Sequence, residues 1–166
     1  ACLGTLGVSG PGIKLGGNLT TPDAVEVHRL LREISEAGID RLAMEASSHG
    51  LDQFRLDGVR FSVAGFTNLS RDHLDYHGSM EAYATAKLRL IEELVETGGT
   101  VVLNADDGHA EMFADAAQRR GLRVITYGRK GRDICLVDVE ASSAGQTLQL
   151  EILGDAVSAE LPLVGA

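Results

Sequence analysis

The feature that most constrains the fold is a regular alternation of short apolar segments with segments of helical periodicity. The apolar segments have the length and composition of buried strands. Their alternation with helices indicates parallel strands joined by right-handed crossovers. We therefore predict an α/β fold with a Rossmann-like, mostly parallel sheet flanked by helices. The predicted strands are 41–44, 61–66, 100–103 and 122–127, and the predicted helices are 22–37, 79–97 and 107–120.

The two ends of the chain carry different patterns. Residues 1–8 have the pattern of one strand, and the glycine cluster at 10–17 then predicts a loop. The first helix is expected to start with Pro22 at its first position and a threonine hydroxyl as its cap, and to stop at Gly38. Near the other end, consecutive strand patterns predict an antiparallel extension of the sheet, with strands at 134–140, 147–153 and 156–163.

Charge and composition exclude several classes of partner. The 166 residues carry a formal net charge of −9, which argues against nonspecific binding to nucleic acid or to an anionic membrane. No apolar run is long enough for a transmembrane helix, so we predict no membrane insertion. The two cysteines, Cys2 and Cys135, lack a CxxC motif or a paired framework, which favours a reducing, cytoplasmic location.

Polar motifs follow two of the predicted strands. Glu45 comes directly after strand 41–44, and His73 belongs to the polar stretch 67–78 after strand 61–66. In open parallel sheets, ligands bind at the carboxyl ends of strands, so both residues are candidate metal ligands converging on one crevice. Each is also explained as a hydrogen-bonded surface residue. A carboxylate and an imidazole suit zinc, manganese or magnesium, and composition favours none of the three.

Lys87 stands out because of its position on a predicted helix. At 100° per residue it falls on the apolar stripe formed by Met80, Tyr83, Ala84, Ile91 and Leu94. A charged ammonium on such a face is unfavourable unless it is paired, neutralised or modified. The alternative is a lysine whose stem packs while its head reaches water.

Other polar residues near these motifs have simpler explanations. His49 and His77 each precede a glycine and are consistent with turn positions. Asp72 and Asp75 either orient His73, serve as caps or are solvated loop acids. The Asx-rich stretch 104–107 follows a strand and either contacts a nucleotide or caps the next helix, capping being the default.

Together these motifs resemble the central domain of the Mur ligase family, in particular the member that adds the third residue of the peptidoglycan stem peptide. The resemblance rests on stretches 44–50 and 67–78 with Thr20, Thr21, Gln53, Arg55 and Lys87, in matching order and spacing. It implies a magnesium centre of Glu45, His73 and a carbamylated Lys87. It also implies that the UDP-muramoyl-peptide site is lined by Thr20, Thr21, Ser47, Gln53 and Arg55.

The resemblance further implies an ATP-dependent amide ligase. Such an enzyme joins a diamino acid, meso-diaminopimelate or L-lysine, to UDP-N-acetylmuramoyl-L-Ala-D-Glu through an acyl phosphate, with ATP as substrate and Mg²⁺ as cofactor. Three alternatives stay open: another Mur-type or folylpolyglutamate-type ligase, a metal-dependent hydrolase built on Glu45, His49 and His73, and a noncatalytic module that binds the UDP-sugar peptide. The hydrolase lacks a convincing three-ligand zinc spacing.

The resemblance also predicts the domain organisation. Residues 1–166 correspond to one central domain, while the glycine cluster at 10–17 lacks the Gly-Lys-Ser/Thr sequence of a phosphate-binding loop. We therefore expect a fragment that lacks the upstream phosphate loop and the downstream amino-acid-binding domain. Such a fragment is expected to fold without catalysing ligation.

Overall fold

The computed structural model describes residues 1–163, so the last three residues of the predicted domain lie outside the described part. The chain forms two compact units. The first consists of Ala1–Arg60 and Arg71–Leu94, and the second takes in Phe61–Ser70 and the chain from Val95 onward. Each unit is described separately.

The first unit contains a four-stranded sheet. Its strands are β1 (Cys2–Gly4), β2 (Gly7–Gly10), β3 (Ile13–Leu15) and β4 (Ala43–Met44), in the order β3-β2-β1-β4. The pairs β1–β2 and β2–β3 are antiparallel, whereas β1 and β4 are parallel. The core beside this sheet is formed by Leu3, Val8, Leu30 and Ile34.

The start of the chain therefore differs from the prediction of one strand and a loop. The chain reverses at Thr5 and Leu6, and Gly4 lies opposite Gly7 across the hairpin. Gly7 has a φ of 87°, and a Cβ on it would lie 2.1 Å from the carbonyl oxygen of Leu15. Only glycine suits this close approach, but a uniform strand pattern gives no sign of the reversal.

Helix α1 spans Ala24–Glu36 and is capped differently from the prediction. The carboxylate of Asp23 accepts a hydrogen bond from Glu26 N at 3.0 Å, so Asp23 is the cap and Pro22 precedes it. The predicted stop is confirmed, because Gly38 adopts a φ of 75° just beyond the helix.

The remaining helices of the first unit are short. They are α2 (Ser48–Asp52), α3 (Leu74–His77) and α4 (Met80–Arg89), and α4 continues into a π-helical turn at Leu90–Leu94. The predicted helix 79–97 thus ends at residue 94, where a strand begins. The apolar stripe is confirmed, since Tyr83, Ala84, Ile91 and Leu94 are buried. None of the helices within residues 1–163 is long and apolar enough to cross a membrane.

The second unit is built on a six-stranded sheet that confirms the predicted fold class. Its elements are β5 (Phe61–Phe66), β6 (Val95–Asn104), α5 (Ala110–Arg119), β7 (Arg123–Gly128), β8 (Ile134–Ser142), β9 (Gly145–Ile152) and β10 (Asp155–Leu161). Strands β5 to β8 pair in parallel, and β8, β9 and β10 pair antiparallel, in the order β10-β9-β8-β7-β6-β5. Inside the unit, the ring of Phe66 stacks on that of Phe113 with centroids 3.9 Å apart.

One expectation about the sheet is wrong. The strands that precede the two polar motifs, β4 and β5, belong to different sheets. Glu45 and His73 therefore do not meet at the carboxyl edge of one parallel sheet. Both nevertheless belong to the first unit, because the chain returns to it at Arg71.

Candidate functional site

Thr21 anchors the polar motif that follows β4. Its hydroxyl donates to the carbonyl oxygen of Glu45 at 2.9 Å and accepts from the backbone N–H of Ser47 at 2.9 Å. Thr21 is only 1% exposed. The hydroxyl of Ser47 in turn caps α2 by accepting from Gly50 N at 3.1 Å. Thr21 and Ser47, two predicted substrate-binding residues, are thus joined directly.

The carboxylate of Glu45 lies against the β1–β2 hairpin. Its Oε2 accepts hydrogen bonds from the backbone N–H of Thr5 at 2.9 Å and from the Thr5 hydroxyl at 3.1 Å. The Thr5 hydroxyl also shares a hydrogen bond of 2.9 Å with that of Thr20. A Cβ on Gly4 would lie 2.5 Å from Glu45 Oε2, so the carboxylate needs glycine there. Thr5 therefore connects the predicted metal ligand to a predicted substrate residue.

Arg55 is a cation whose direction is fixed on two sides. Its Nη1 donates to the carbonyl oxygen of Thr21 at 2.8 Å. Its Nε and Nη2 both donate to Oε1 of Gln53, at 3.1 and 2.5 Å. A guanidinium held in this way presents a positive charge with defined geometry to an anionic ligand.

Tyr76 and Asp52 extend this network and were not recognised in the sequence. Gln53 Nε2 donates to the Tyr76 hydroxyl at 2.9 Å, and the hydroxyl donates to Asp52 Oδ2 at 2.8 Å. Tyr76 is separated from the other two by more than 20 residues. In the sequence, the one indication of a role for Tyr76 is that it lies inside the motif 67–78.

The rings of α3 and its neighbours form a cluster. The centroid of the His49 ring lies 4.1 Å from that of Tyr76 and 5.0 Å from that of His73. His77 stacks on Tyr83 with centroids 5.2 Å apart. Burial lowers the pKa of His77, and its Nε2 is buried without a hydrogen-bond partner within residues 1–163. His49 and His77 thus contribute to the cluster as well as to turns.

His73 lies at a strained backbone position. It has a φ of 53° and forms the N-terminal boundary of α3. Asp72 accepts a hydrogen bond from His73 N at 2.8 Å, and its other oxygen lies 3.5 Å from His73 Nε2. The predicted orienting role of Asp72 agrees with these contacts. A left-handed conformation outside glycine is uncommon and often accompanies a functional constraint.

Lys87 lies beside the same cluster. Its Nζ is 5.9 Å from the centroid of the Tyr83 ring, whose own centroid lies 6.0 Å from that of His73. Burial lowers the pKa of Lys87. Within residues 1–163 no carboxylate forms an ion pair with it. An unpaired, desolvated amine is more readily neutral than an exposed one, and a neutral amine is a nucleophile.

The three predicted metal ligands are not in direct contact. In the described part of the chain, no hydrogen bond or ion pair joins Glu45, His73 and Lys87 to one another. No group of three or more His, Cys, Asp or Glu side chains there could hold a metal ion. Magnesium prefers oxygen ligands, and the lysine amine supplies none. The donor set fits magnesium only if Lys87 carries a carbamate, which adds two oxygens.

Arg89 lies on α4 opposite the apolar stripe that contains Lys87. Its side chain is nevertheless only 12% exposed. It donates to the carbonyl oxygen of Leu51 and pairs with Asp57 at 3.0 Å and with Glu93 at 2.6 Å. Helix α4 thereby fixes the turn that carries Gln53 and Arg55.

The Asx-rich stretch after β6 forms turns inside the second unit. Asp106 accepts hydrogen bonds from the backbone of Arg129 and Lys130, and these bonds lower its pKa. Asp107 accepts from Leu69 N at 2.9 Å and His109 N at 2.8 Å. The boundary residue of α5 is His109, which makes no side-chain cap, so the predicted capping is replaced by turn formation.

Comparison with known proteins identifies the family. A protein-family model described as the Mur ligase middle domain matches residues 1–166. The chain belongs to the Mur ligase family. A relative from Bradyrhizobium diazoefficiens, named UDP-N-acetylmuramoyl-L-alanyl-D-glutamate–2,6-diaminopimelate ligase, is 48% identical over 169 residues. The match covers 99% of this chain and 35% of that Mur ligase, and the chain spans about a third of the curated relatives it matches.

Solved structures agree with this assignment. A structure of a UDP-N-acetylmuramoyl-L-alanyl-D-glutamate–2,6-diaminopimelate ligase matches 99% of this Mur ligase chain and 34% of its own, with a TM-score of 0.85 and 37% identity. A folylpolyglutamate synthase from Mycobacterium tuberculosis, complexed with ADP and AMPPCP, matches 79% of this chain and 29% of its own, with a TM-score of 0.61 and 21% identity. The second likeness concerns the fold alone.

Proposed function

We propose that this chain is the central domain of a longer ATP-dependent ligase that joins diaminopimelate to UDP-N-acetylmuramoyl-L-Ala-D-Glu in the cytoplasm during peptidoglycan synthesis. The identity of 48% to a ligase named for that reaction supports the substrate and the incoming amino acid. Because the chain spans about a third of such relatives, we infer that other domains supply the phosphate-binding loop and the amino-acid site. The chain alone is then expected not to ligate.

The observation that carries this proposal is the fixed cation of Arg55. Two neighbours, Thr21 and Gln53, hold its guanidinium by three N–H groups. In a chain with a net charge of −9, an anionic UDP-sugar peptide needs such a local cation. We assign the substrate site to Arg55, its hydrogen-bonded neighbours Thr21 and Gln53, and two further hydroxyl residues. These are Ser47, whose N–H is bonded to Thr21, and Thr20, whose hydroxyl is bonded to that of Thr5.

We also propose a magnesium site formed by Glu45, His73 and the carbamate of Lys87. The neutral amine of Lys87 attacks the carbon of CO₂, a C–N bond forms as one C=O π bond opens to give an oxyanion, and one N–H proton leaves to solvent. Burial of this amine supports the step, because it lowers the pKa and raises the neutral fraction. When bound, magnesium offsets negative charge on phosphate and acyl-phosphate oxygens.

The reaction has two steps in this proposal. The terminal D-glutamate carboxylate attacks the γ-phosphorus of ATP, and ADP leaves as an acyl phosphate forms. The amine of diaminopimelate then attacks the acyl carbon, and phosphate leaves as the amide forms. Arg55 and Gln53 hold the substrate while the carboxylate reacts, so their contribution is one of orientation.

Intact mass measurement tests the proposed carbamate. At neutral pH with bicarbonate, we expect an adduct with the mass of one CO₂ on the wild type and on Lys14→Ala, whose lysine is exposed, but not on Lys87→Ala. An adduct that persists in Lys87→Ala contradicts the assignment. If no adduct appears on the wild type in rapid, mild ionisation, ¹³C NMR with ¹³C-bicarbonate decides whether a carbamate carbon is present.

Ligation assays on the intact protein test the activity. We expect ADP release that requires the UDP-sugar dipeptide and diaminopimelate together, and a product heavier by one diaminopimelate residue. ATP turnover with a folate substrate instead favours a folylpolyglutamate-type ligase. Bound zinc with hydrolysis in the absence of ATP favours the hydrolase, and binding of the UDP-sugar peptide without ATP turnover favours a noncatalytic module.

A further inference from the structure

The phenol of Tyr76 lies between two groups that fix the direction of its hydrogen bonds. Its hydroxyl donates a hydrogen bond to Asp52 Oδ2 at 2.8 Å and accepts one from Gln53 Nε2 at 2.9 Å. A phenol has one proton, and a carboxylate accepts without donating. Once the proton points to Asp52, only a donor suits the other side of the hydroxyl. The amide nitrogen of Gln53 must therefore face Tyr76.

The direction of these hydrogen bonds determines which amide atom of Gln53 faces Arg55. With its nitrogen turned to Tyr76, Gln53 presents Oε1 to Nε and Nη2 of Arg55. The opposite amide orientation would set an NH₂ group against the guanidinium, donor against donor. Arg55 Nη1 is held separately by the carbonyl oxygen of Thr21. Of the five guanidinium N–H groups, three are used here, which leaves one on each terminal nitrogen for a ligand.

Tyr76 itself is held by ring contacts. Its centroid lies 4.1 Å from that of His49 and 4.7 Å from that of His77. Tyr76 and His77 both belong to α3, whose N-terminal boundary is His73, and the His49 contact joins the phenol to α2. The direction of Arg55 is thus connected, through Gln53 and Tyr76, to the loop that carries a proposed metal ligand.

We propose that Tyr76, held by Asp52, is a positioning residue that orients Arg55 through Gln53 for binding of the anionic UDP-sugar peptide. The inference rests on the proposed function for the identity of the ligand. The part of the inference that concerns the orientation of the guanidinium depends only on the hydrogen bonds described above. Tyr76 acts without touching the substrate, since its hydroxyl is taken by Asp52 and Gln53.

Steady-state kinetics on the intact protein measure the effect. We expect Tyr76→Phe to raise the KM for the UDP-sugar peptide about 10-fold, with kcat and the KM for ATP changed less than about twofold, because a charge-linked hydrogen bond is lost. Tyr127→Phe, which removes the phenol hydroxyl of β7, is the matched control and should leave the KM unchanged. In a Gln53→Ala background, Tyr76→Phe should add no further increase, and additive effects would overturn the proposal.

A measurement without substrate separates the positioning role from the proposed function. With ¹⁵N-arginine labelling, the Nε–Hε signal of Arg55 is assigned by its loss in Arg55→Lys. We expect faster hydrogen exchange of this signal in Tyr76→Phe than in wild type or Tyr127→Phe. Unchanged exchange overturns the proposal that Tyr76 orients Arg55 through Gln53. Faster exchange with an unchanged KM overturns the role of Tyr76 in substrate binding. A wild-type protein that does not ligate overturns the proposed function, and the exchange measurement then still tests whether Tyr76 orients Arg55.

Discussion

The guanidinium of Arg89 lies 4.0 Å from the centroid of the Phe54 ring, and Phe54 holds a backbone φ of 58°. A left-handed conformation is unfavourable for an aromatic residue and persists only when its surroundings fix it. Phe54 separates Gln53 from Arg55, so the strained residue sets the direction of both neighbours. The helix that carries Lys87 therefore also stabilises the turn that carries the proposed substrate residues.

Replacing Arg89 tests this arrangement. Arg89→Ala should lower the free energy of unfolding by about 2–4 kcal/mol, because a largely buried, hydrogen-bonded charge is removed and the carbonyl of Leu51 loses its donor. Urea unfolding followed by far-UV circular dichroism measures the change, since the chain has no tryptophan. Arg29→Ala is the matched control. Arg29 also pairs with a glutamate four residues on, but it is exposed, so a much smaller change is expected. Equal losses of stability in the two variants would contradict the proposal that Arg89 stabilises the turn at Phe54.

The hydroxyl of Thr21 offers a second test. Thr21→Val keeps the shape of the side chain but leaves the carbonyl of Glu45 and the N–H of Ser47 without their partner. We expect a loss of about 2 kcal/mol in the free energy of unfolding, since the site is buried. Thr85→Val removes a similar hydroxyl from an exposed position on α4 and should cost less than about 0.5 kcal/mol. A Thr21→Val protein as stable as Thr85→Val would refute the anchoring role.

Gly50 permits a close approach that alanine would prevent. In a helix, Gly→Ala is normally stabilising by about 1 kcal/mol. Here a Cβ would lie 2.6 Å from Thr21 Cγ2 and 3.0 Å from Ser47 Oγ, and such overpacking costs about 1–3 kcal/mol. We therefore expect Gly50→Ala to lower stability and to weaken binding of the UDP-sugar peptide. Gly65→Ala on β5 meets no atom of the described residues within 4 Å and should be as stable as wild type. Calorimetry of both variants makes the comparison, and a stabilised Gly50→Ala would contradict it.

The pKa of His77 predicts a pH dependence of stability. Burial holds this pKa below its ordinary value of 6.5 in the folded chain. As the pH falls through 6.5, the unfolded chain therefore binds the proton first, and the free energy of unfolding decreases until the folded pKa is passed. His77→Phe keeps a ring against Tyr83 but cannot titrate. Unfolding measured between pH 8 and pH 5 should show a shallower loss of stability in His77→Phe, and identical slopes would exclude a titrating His77.

Much of the fold and part of the site could be predicted from local sequence. The alternation of strands and helices predicted the parallel sheet, and the stripe on α4 predicted that Lys87 faces apolar neighbours. These features depend on periodicity within one segment, which the sequence records directly. The proposed substrate residues come from the resemblance, and the structure shows hydrogen bonds among them at Thr21 and Arg55.

Other features depended on contacts between distant segments. Sequence favoured a threonine hydroxyl as a helix cap, whereas Thr21 instead bonds residues 24 and 26 positions further on. Helical periodicity places Arg89 opposite the apolar stripe of α4, whereas the structure pairs its charge with Asp57 and Glu93.

The sequence by itself determined most of the alternating strands and helices, the polar motifs and the position of Lys87 on an apolar stripe, because hydrophobic periodicity and turn chemistry act over a few residues. Only the tertiary structure decided that β4 and β5 lie in different sheets and that Tyr76 reaches Gln53. Hydrogen-bond partners across more than 20 residues are selected by the packing of whole elements, and no local pattern encodes that choice.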